Sequence, residues 1–279
     1  MAVKKRTIGS AAASSKSGSS ATDAARLPRG PHTAQLYFHL AVHGTLILLA
    51  SLILPAHLLS HKKDETSDLG LRNSVSLLFS LPDTPENVAL LRKTMWGVVQ
   101  AVGVVQAWAL VRFKKWFDLG VAIEQGDVKT ADEVNKRGWG KGLELMTLTS
   151  VSLLVALLIF QTLLVLLGAP VFSNITSTVC LSLALSLTIA FPLQHIAPFL
   201  SSTPLFTSPS PRTIRLYSLL WTMLLLPLIG ALVGAVPLTF DHGKAWLAWP
   251  VPPLMGLLLG VVVSDVVGGV RYVLTPGRD

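Results

Sequence analysis

The sequence predicts an all-α, polytopic membrane protein: six transmembrane helices in a bundle, with both termini cytoplasmic. Three observations predict it. Mean hydropathy is +0.58 over 279 residues and only 14% of residues are charged, too apolar for a soluble fold of this length. Six stretches approach or reach the ~20 apolar residues needed to cross the hydrocarbon core. The basic residues fall unevenly between the segments that join these stretches.

The spans are expected at 36–59, 94–111, 143–167, 175–200, 216–238 and 249–270. The second is the weakest, because Gln100 and Gln106 lie inside it, and a five-span arrangement without it is the main rival. The positive-inside rule decides between them. With six spans and the N-terminus inside, cytoplasmic segments carry 17 Lys and Arg and the opposite side carries 6. Removing the second span joins the basic loop 112–142 to the wrong side.

Residues 1–35 hold Lys4, Lys5 and Arg6 before a Ser/Ala/Gly tract, a composition too polar to bury a core, and are expected to be a disordered cytoplasmic tail. The first apolar run is long enough to span, so it is expected to act as an uncleaved anchor. Residues 271–279 form a second short cytoplasmic tail. The sequon Asn174-Ile175-Thr176 sits against the bilayer and is expected to stay unmodified. A single cysteine, Cys180, excludes an internal disulfide and reads as a packing residue.

Several residues are candidates for chemistry. His39 and His43, and His57 and His61, lie four apart, so each pair shares a helix face. Two ligands do not make a metal site, and a third would have to come from Glu144, His195 or Asp265. Interfacial or interhelical hydrogen bonding is the better reading of these histidines. Asp265 and Glu144 are weighed because an acid at the centre of a membrane helix costs roughly 2.5–3.5 kcal/mol. Both can lie near a cytoplasmic boundary, with Lys141 beside Glu144 and Arg271 available to Asp265. Asp265 is the stronger candidate for contact with a partner or substrate.

The loop 112–142 interleaves basic residues with Trp116, Phe117 and Trp139. Beside two spans, that pattern reads as a stretch on anionic headgroups rather than a nucleic-acid site. Phosphate-binding, zinc-protease, serine-hydrolase and dinucleotide motifs are absent from the sequence. No cofactor is expected.

Small residues give the clearest pattern. Gly256, Gly260, Ser264 and Gly268 recur every four positions on the last span, and Gly230 and Gly234 do so on the fifth. In lipid, such spacing lets two helix backbones approach closely. The docking face serves either packing between these two spans or a neighbouring protein.

The segment "GALVGAVPLTFDHGKAWLAWPVPPLMGLLLG", Gly230 to Gly260, resembles the C-terminal signature of the PIG-F family of GPI-anchor biosynthesis. Gly230, Gly234, Pro237, Asp241, Trp246, Trp249 and Pro250 occupy the matching places. A second segment, "LLGAPVFSNITSTVCLSLALSLTIAFP", Leu166 to Pro192, is similar to the family's Gly-Ala-Pro turn and the hydroxyl-rich span after it. The chain departs from the pattern after Asp241, where His242, Gly243 and Lys244 replace an aromatic residue and a second acid.

The resemblance implies a non-catalytic subunit of the endoplasmic reticulum complexes that transfer phosphoethanolamine to the second and third mannoses of the GPI precursor. The large partner carries the metal-dependent catalytic domain, and the small one stabilises its membrane region and helps present the lipid, phosphatidylethanolamine or GPI precursor. No nucleic-acid partner is implied. Asp241, His242, Lys244, Trp246 and Trp249 in the lumenal hairpin, the small-residue stripe, and Asp265 are the expected contacts with partner or lipid. A lipid or glycolipid transporter or scramblase is the alternative. An intramembrane enzyme using His39, His43, His195 or Asp265 ranks third.

Overall fold

The computed structural model describes residues 33–55, 79–124, 133, 139–170, 174–194, 211–239 and 244–274. Among them the chain is almost entirely helical and contains no strand, only an isolated bridge between Pro82 and Lys244. Helix α1 spans Thr33–Leu48 and continues through a π-helical turn, Leu49–Ile53. Then come α2 (Pro85–Glu124), α3 (Trp139–Leu166) and α4 (Ile175–Leu185, with a π-helical turn at Ser186–Ala190). Helix α5 (Pro211–Ala235) and α6 (Val251–Leu274) complete the bundle.

Five helical segments are long and apolar enough to cross a membrane: Ala34–Ile53, Pro85–Trp116, Ile175–Gln194, Ser218–Thr239 and Val251–Leu274. The second span, the weakest by sequence, is among them. Its start is fixed by side-chain chemistry that an apolar count overlooks. Thr84 Oγ accepts from the Asn87 backbone N–H at 3.3 Å, Pro85 occupies the first helical position and Glu86 lies in the first turn, an N-terminus suited to the helix dipole. The helix therefore begins nine residues before the expected Thr94 and runs on into the basic loop, where Lys114 pairs with Asp118 one turn later at 3.2 Å. In α3 the apolar helix among the residues whose side chains are described is Val151–Leu166.

Helix α3 ends in a Schellman cap. Gly168 adopts φ +93°, and the N–H groups of Gly168 and Ala169 return to the carbonyls of Val165 and Leu164 at 3.0 and 2.9 Å. Glycine enters this left-handed conformation without strain, which explains the Gly of the Gly-Ala-Pro turn. Helix α4 then presents Ser177, Thr178, Ser182, Ser186 and Thr188 to the interior, all buried. In lipid a hydroxyl needs a partner; Ser182, Ser186 and Thr188 each donate to the carbonyl four residues back. Ser182 Oγ also approaches Gln161 Oε1 at 2.7 Å, and Ser152 donates to Gln194 at 2.6 Å, so two polar rungs join α3 to α4.

The closest pairing is α5 on α6, and α6 also packs against α1, α2 and α4. The last helix is thus the hub. One core, around Met95, Val98, Val99, Leu181, Leu254 and Leu257, fills the interior between α2, α4 and α6. A second, around Leu36, Leu40, Phe113 and Leu219, fills the end where α1 begins.

Candidate functional site

Three places in the bundle bring the candidate residues together. At the α5–α6 seam, a Cβ on Gly234 would lie 2.5 Å from the carbonyl oxygen of Pro252, and one on Gly260 2.5 Å from that of Leu226. Gly230 and Gly256 face each other's backbone oxygen at still closer range. These four glycines hold the two helices at backbone contact, which is the internal of the two readings of the stripe. Gly268 lies farther along, where a Cβ would meet Leu219 Cδ1 at 2.6 Å and Thr222 Oγ1 at 3.1 Å. Ser264 is buried and donates to Val261 O at 2.7 Å.

At one end of the bundle three connections meet. The Ala245 N–H donates to Leu81 O at 3.1 Å, beside the Pro82–Lys244 bridge, and Phe79 stacks edge-on against Trp246 with centroids 5.7 Å apart. Trp249 Nε1 donates to Thr178 Oγ1 at 3.1 Å, and that hydroxyl in turn donates to Pro170 O at 3.1 Å. The tryptophans, expected as lipid or partner contacts, are half-buried clips between connections. Lys244 is exposed; Asp241 and His242 lie outside the described residues.

At mid-bundle, toward the opposite end, lies a buried polar pocket. His43 Nδ1 on α1 and Asp265 Oδ2 on α6 share a hydrogen bond of 2.8 Å, with the residues 3% and 4% exposed. Asp265 therefore finds its partner across the bundle in His43, where the sequence had offered Arg271. The pair is possible because residue 44 is glycine: a Cβ there would stand 3.1 Å from Asp265 Oδ2. Tyr37 Oη donates to Gly269 O at 2.9 Å one turn away, fixing the register of α1 on α6.

The pocket beside the pair has about 20 Å³ open to water and is lined by Gln106, Phe113, Thr188, Met223 and Ser264 as well as His43 and Asp265. That is room for about one molecule. Two of its lining residues, Met223 and Thr188, stand at breaks in helical regularity. Pro227 sits inside α5 and cannot donate to the carbonyl of Met223, while Thr188 belongs to the π-helical turn of α4. Among the described residues Asp265 Oδ1 and His43 Nε2 have no hydrogen-bond partner, so the pocket offers polar atoms to a water or a small polar group.

His39, expected to share a face with His43, is buried but turned to other company. Its ring lies among Trp108, Phe113 and Trp116 of α2, with centroid distances of 4.6, 5.0 and 5.2 Å. Among the described residues no three His, Cys, Asp or Glu side chains come together as metal ligands. His57, His61, His195 and the side chain of Glu144 lie outside the described residues. Sequence reasoning missed Gly44, Thr178 and Thr188 as site residues. Gly44 follows His43 directly, and a glycine beside an intramembrane histidine is the signal that pointed to it.

The two segments that carried the resemblance touch at Thr178 and Trp249, so the signature is one physical corner. The family model that matches this chain is "GPI biosynthesis protein family Pig-F", over residues 71–269. The chain belongs to the PIG-F family. It is similar to glycosylphosphatidylinositol anchor biosynthesis protein 11 of Debaryomyces hansenii, 29% identical over 141 residues, 48% of this chain and 52% of that one. The protein of the same name from Yarrowia lipolytica is 31% identical over 144 residues, 50% of this chain and 62% of the relative. A PIGF/3-ketodihydrosphingosine reductase fusion protein of Schizosaccharomyces pombe matches at 30% over 123 residues, 42% of this chain and 24% of the fusion. The aligned parts thus span about a quarter to three fifths of these relatives. No solved structure matches. As a PIG-F family member with apolar helices long enough to span, the chain is a membrane protein of GPI-anchor biosynthesis.

Proposed function

We propose that this PIG-F family chain is a non-catalytic, stabilising subunit of the GPI ethanolamine phosphate transferase complexes, those that add phosphoethanolamine to the second and third mannoses of the precursor in the endoplasmic reticulum membrane. It crosses that membrane six times, with α3 as the sixth span and both tails in the cytoplasm. Catalysis resides in the large partner. The observation that carries this reading is the family match over residues 71–269. The chemistry of the site supports it: His43 binds Asp265, Trp249 binds Thr178 and Gln161 meets Ser182, contacts that tie helix to helix. The test is affinity purification from a GPI-producing cell in mild detergent. A stoichiometric large transferase is expected, and recovery of the chain with no large partner would overturn the reading.

A lipid or glycolipid transporter or scramblase is the second reading, favoured by the polar pocket lined by Met223, one turn before Pro227, and by Thr188 of the π-helical turn of α4. Space for about one water is far less than a headgroup requires, which places it second. Reconstitution of the chain alone in liposomes decides, since robust lipid flip would reverse the order.

A further inference from the structure

The glutamines of the spans face different surroundings, and Gln35, which is exposed, stands at the very start of its span. Gln106 is buried beside the polar pocket, Gln161 meets Ser182, and Gln194 accepts from Ser152. Gln100 is different: it is exposed on the outer face of α2 and makes no hydrogen bond among the described residues.

Its depth makes this consequential. Gln100 stands 15 residues after Pro85 and 16 before Trp116, the bounds of its apolar span. Gly103, one turn on, packs against Leu187 of α4, near the middle of the 20-residue span Ile175–Gln194. Gln100 thus lies about 23 Å along the helix from either end of its segment, too deep for a side chain of its length to reach water. Exposed hydroxyls in other spans satisfy themselves locally: Thr45 donates to Ala41 O at 2.7 Å and Thr162 to Leu158 O at 2.9 Å. The Gln100 amide has donors and acceptors left over, and lipid tails supply none.

We propose that the face of α2 centred on Gln100 and Val104 docks a transmembrane helix of another polypeptide, which presents a hydrogen-bonding side chain to the Gln100 amide. The proposal rests on the accessory-subunit reading and specifies the surface that subunit uses. Val104, one turn along and 72% exposed, supplies an apolar contact below the polar one. The exposed faces of α3 and α5 are of another character, with Leu154, Leu158, Leu232 and Val233 presented outward, and suit lipid.

A second copy of this chain is the poorer occupant. Two copies related by a twofold axis along the membrane normal would pair α2 in parallel through Gln100. That pairing would bring the exposed Lys93, two turns away on the same face, opposite its own copy, and like charges repel. A different helix can offer an acid or a small polar residue there.

The test uses the full-length chain in its native membrane, with a photoreactive residue replacing Gln100 or Val104 in one set and Leu158 or Leu232 in the other. Adducts to a second polypeptide are expected from the first set and not from the second. A partner that co-purifies with every variant but crosslinks only through Leu158 or Leu232 overturns the surface and leaves the subunit reading intact. Adducts from position 100 to a second copy, or to lipid alone, also overturn it. Absence of any partner from all samples overturns both readings. Gln100→Leu supplies an independent measure: about threefold less partner retained in detergent, the size of one interhelical hydrogen bond, with an unchanged elution profile for the chain itself. Unchanged retention would mean that the amide faces lipid.

Discussion

His43 and Asp265 form a buried pair whose loss is costly. Both are almost fully buried, and each supplies the other's hydrogen bond, so deleting one leaves the other uncompensated in a low-dielectric interior. Removing one partner of such a pair typically costs about 3–5 kcal/mol. Asp265→Ala and His43→Ala are therefore each expected to lower the melting temperature in detergent sharply, and the double variant by less than the sum. Asp265→Asn keeps an oxygen for the His43 Nδ1–H and is expected to lose only about 1 kcal/mol. A thermal series over the four proteins checks this, and additive losses would mean that the two side chains act separately. The sequence showed that Asp265 was unusual but not what it faced. Arg271 lay close in the chain, whereas the actual partner is 222 residues away, a distance no local pattern encodes.

At the scale of elements, the small-residue stripe was the most legible feature and the helix ends the least. Spacing by four placed Gly230, Gly234, Gly256 and Gly260 on facing stripes because close backbone approach is a geometric demand that few residue types meet. The start of α2 escaped the same reading, since Thr84, Pro85 and Glu86 are polar or helix-breaking in an apolar count and favourable only as a cap. The seam yields a graded prediction. A side chain at Gly256 would enter the backbone of α5, and only separation of the helices could relieve it. Gly256→Val is expected to abolish the monodisperse folded species in size-exclusion chromatography. Gly268→Ala meets the flexible end of Leu219 instead, so that variant is expected to fold with a loss of about 1–2 kcal/mol. Equal behaviour of the two would show that the seam is looser than its glycines imply.

For the whole molecule, the direction of insertion we propose combines charge with contact. The connections before α2, between α3 and α4, and between α5 and α6 meet at one end of the bundle through Leu81, Pro170, Thr178, Ala245 and Trp249. They must therefore lie on the same side of the membrane, whatever that side is. A five-span chain in which α3 alone failed to cross would put the connection before α2 on the opposite side from the other two, so α3 crosses if α2 does. The second span, the weakest by hydropathy, starts ahead of its apolar run at the Thr84 cap before Pro85 and is long and apolar enough to cross. Charge carries the proposed orientation: in the six-span arrangement 17 of the 23 Lys and Arg lie in segments on the other face, the side that the positive-inside rule expects in the cytoplasm. Single cysteines placed at Asp83 and Lys244 in a variant lacking Cys180 should resist a membrane-impermeant thiol reagent in sealed microsomes and react once the membrane is opened. Cysteines at Lys16 and Arg278 should react in both conditions. Labelling that placed Asp83 and Lys244 on opposite sides would contradict the fold itself. Labelling that placed Arg278 with them would leave the fold standing and make α6 enter and leave by the same face.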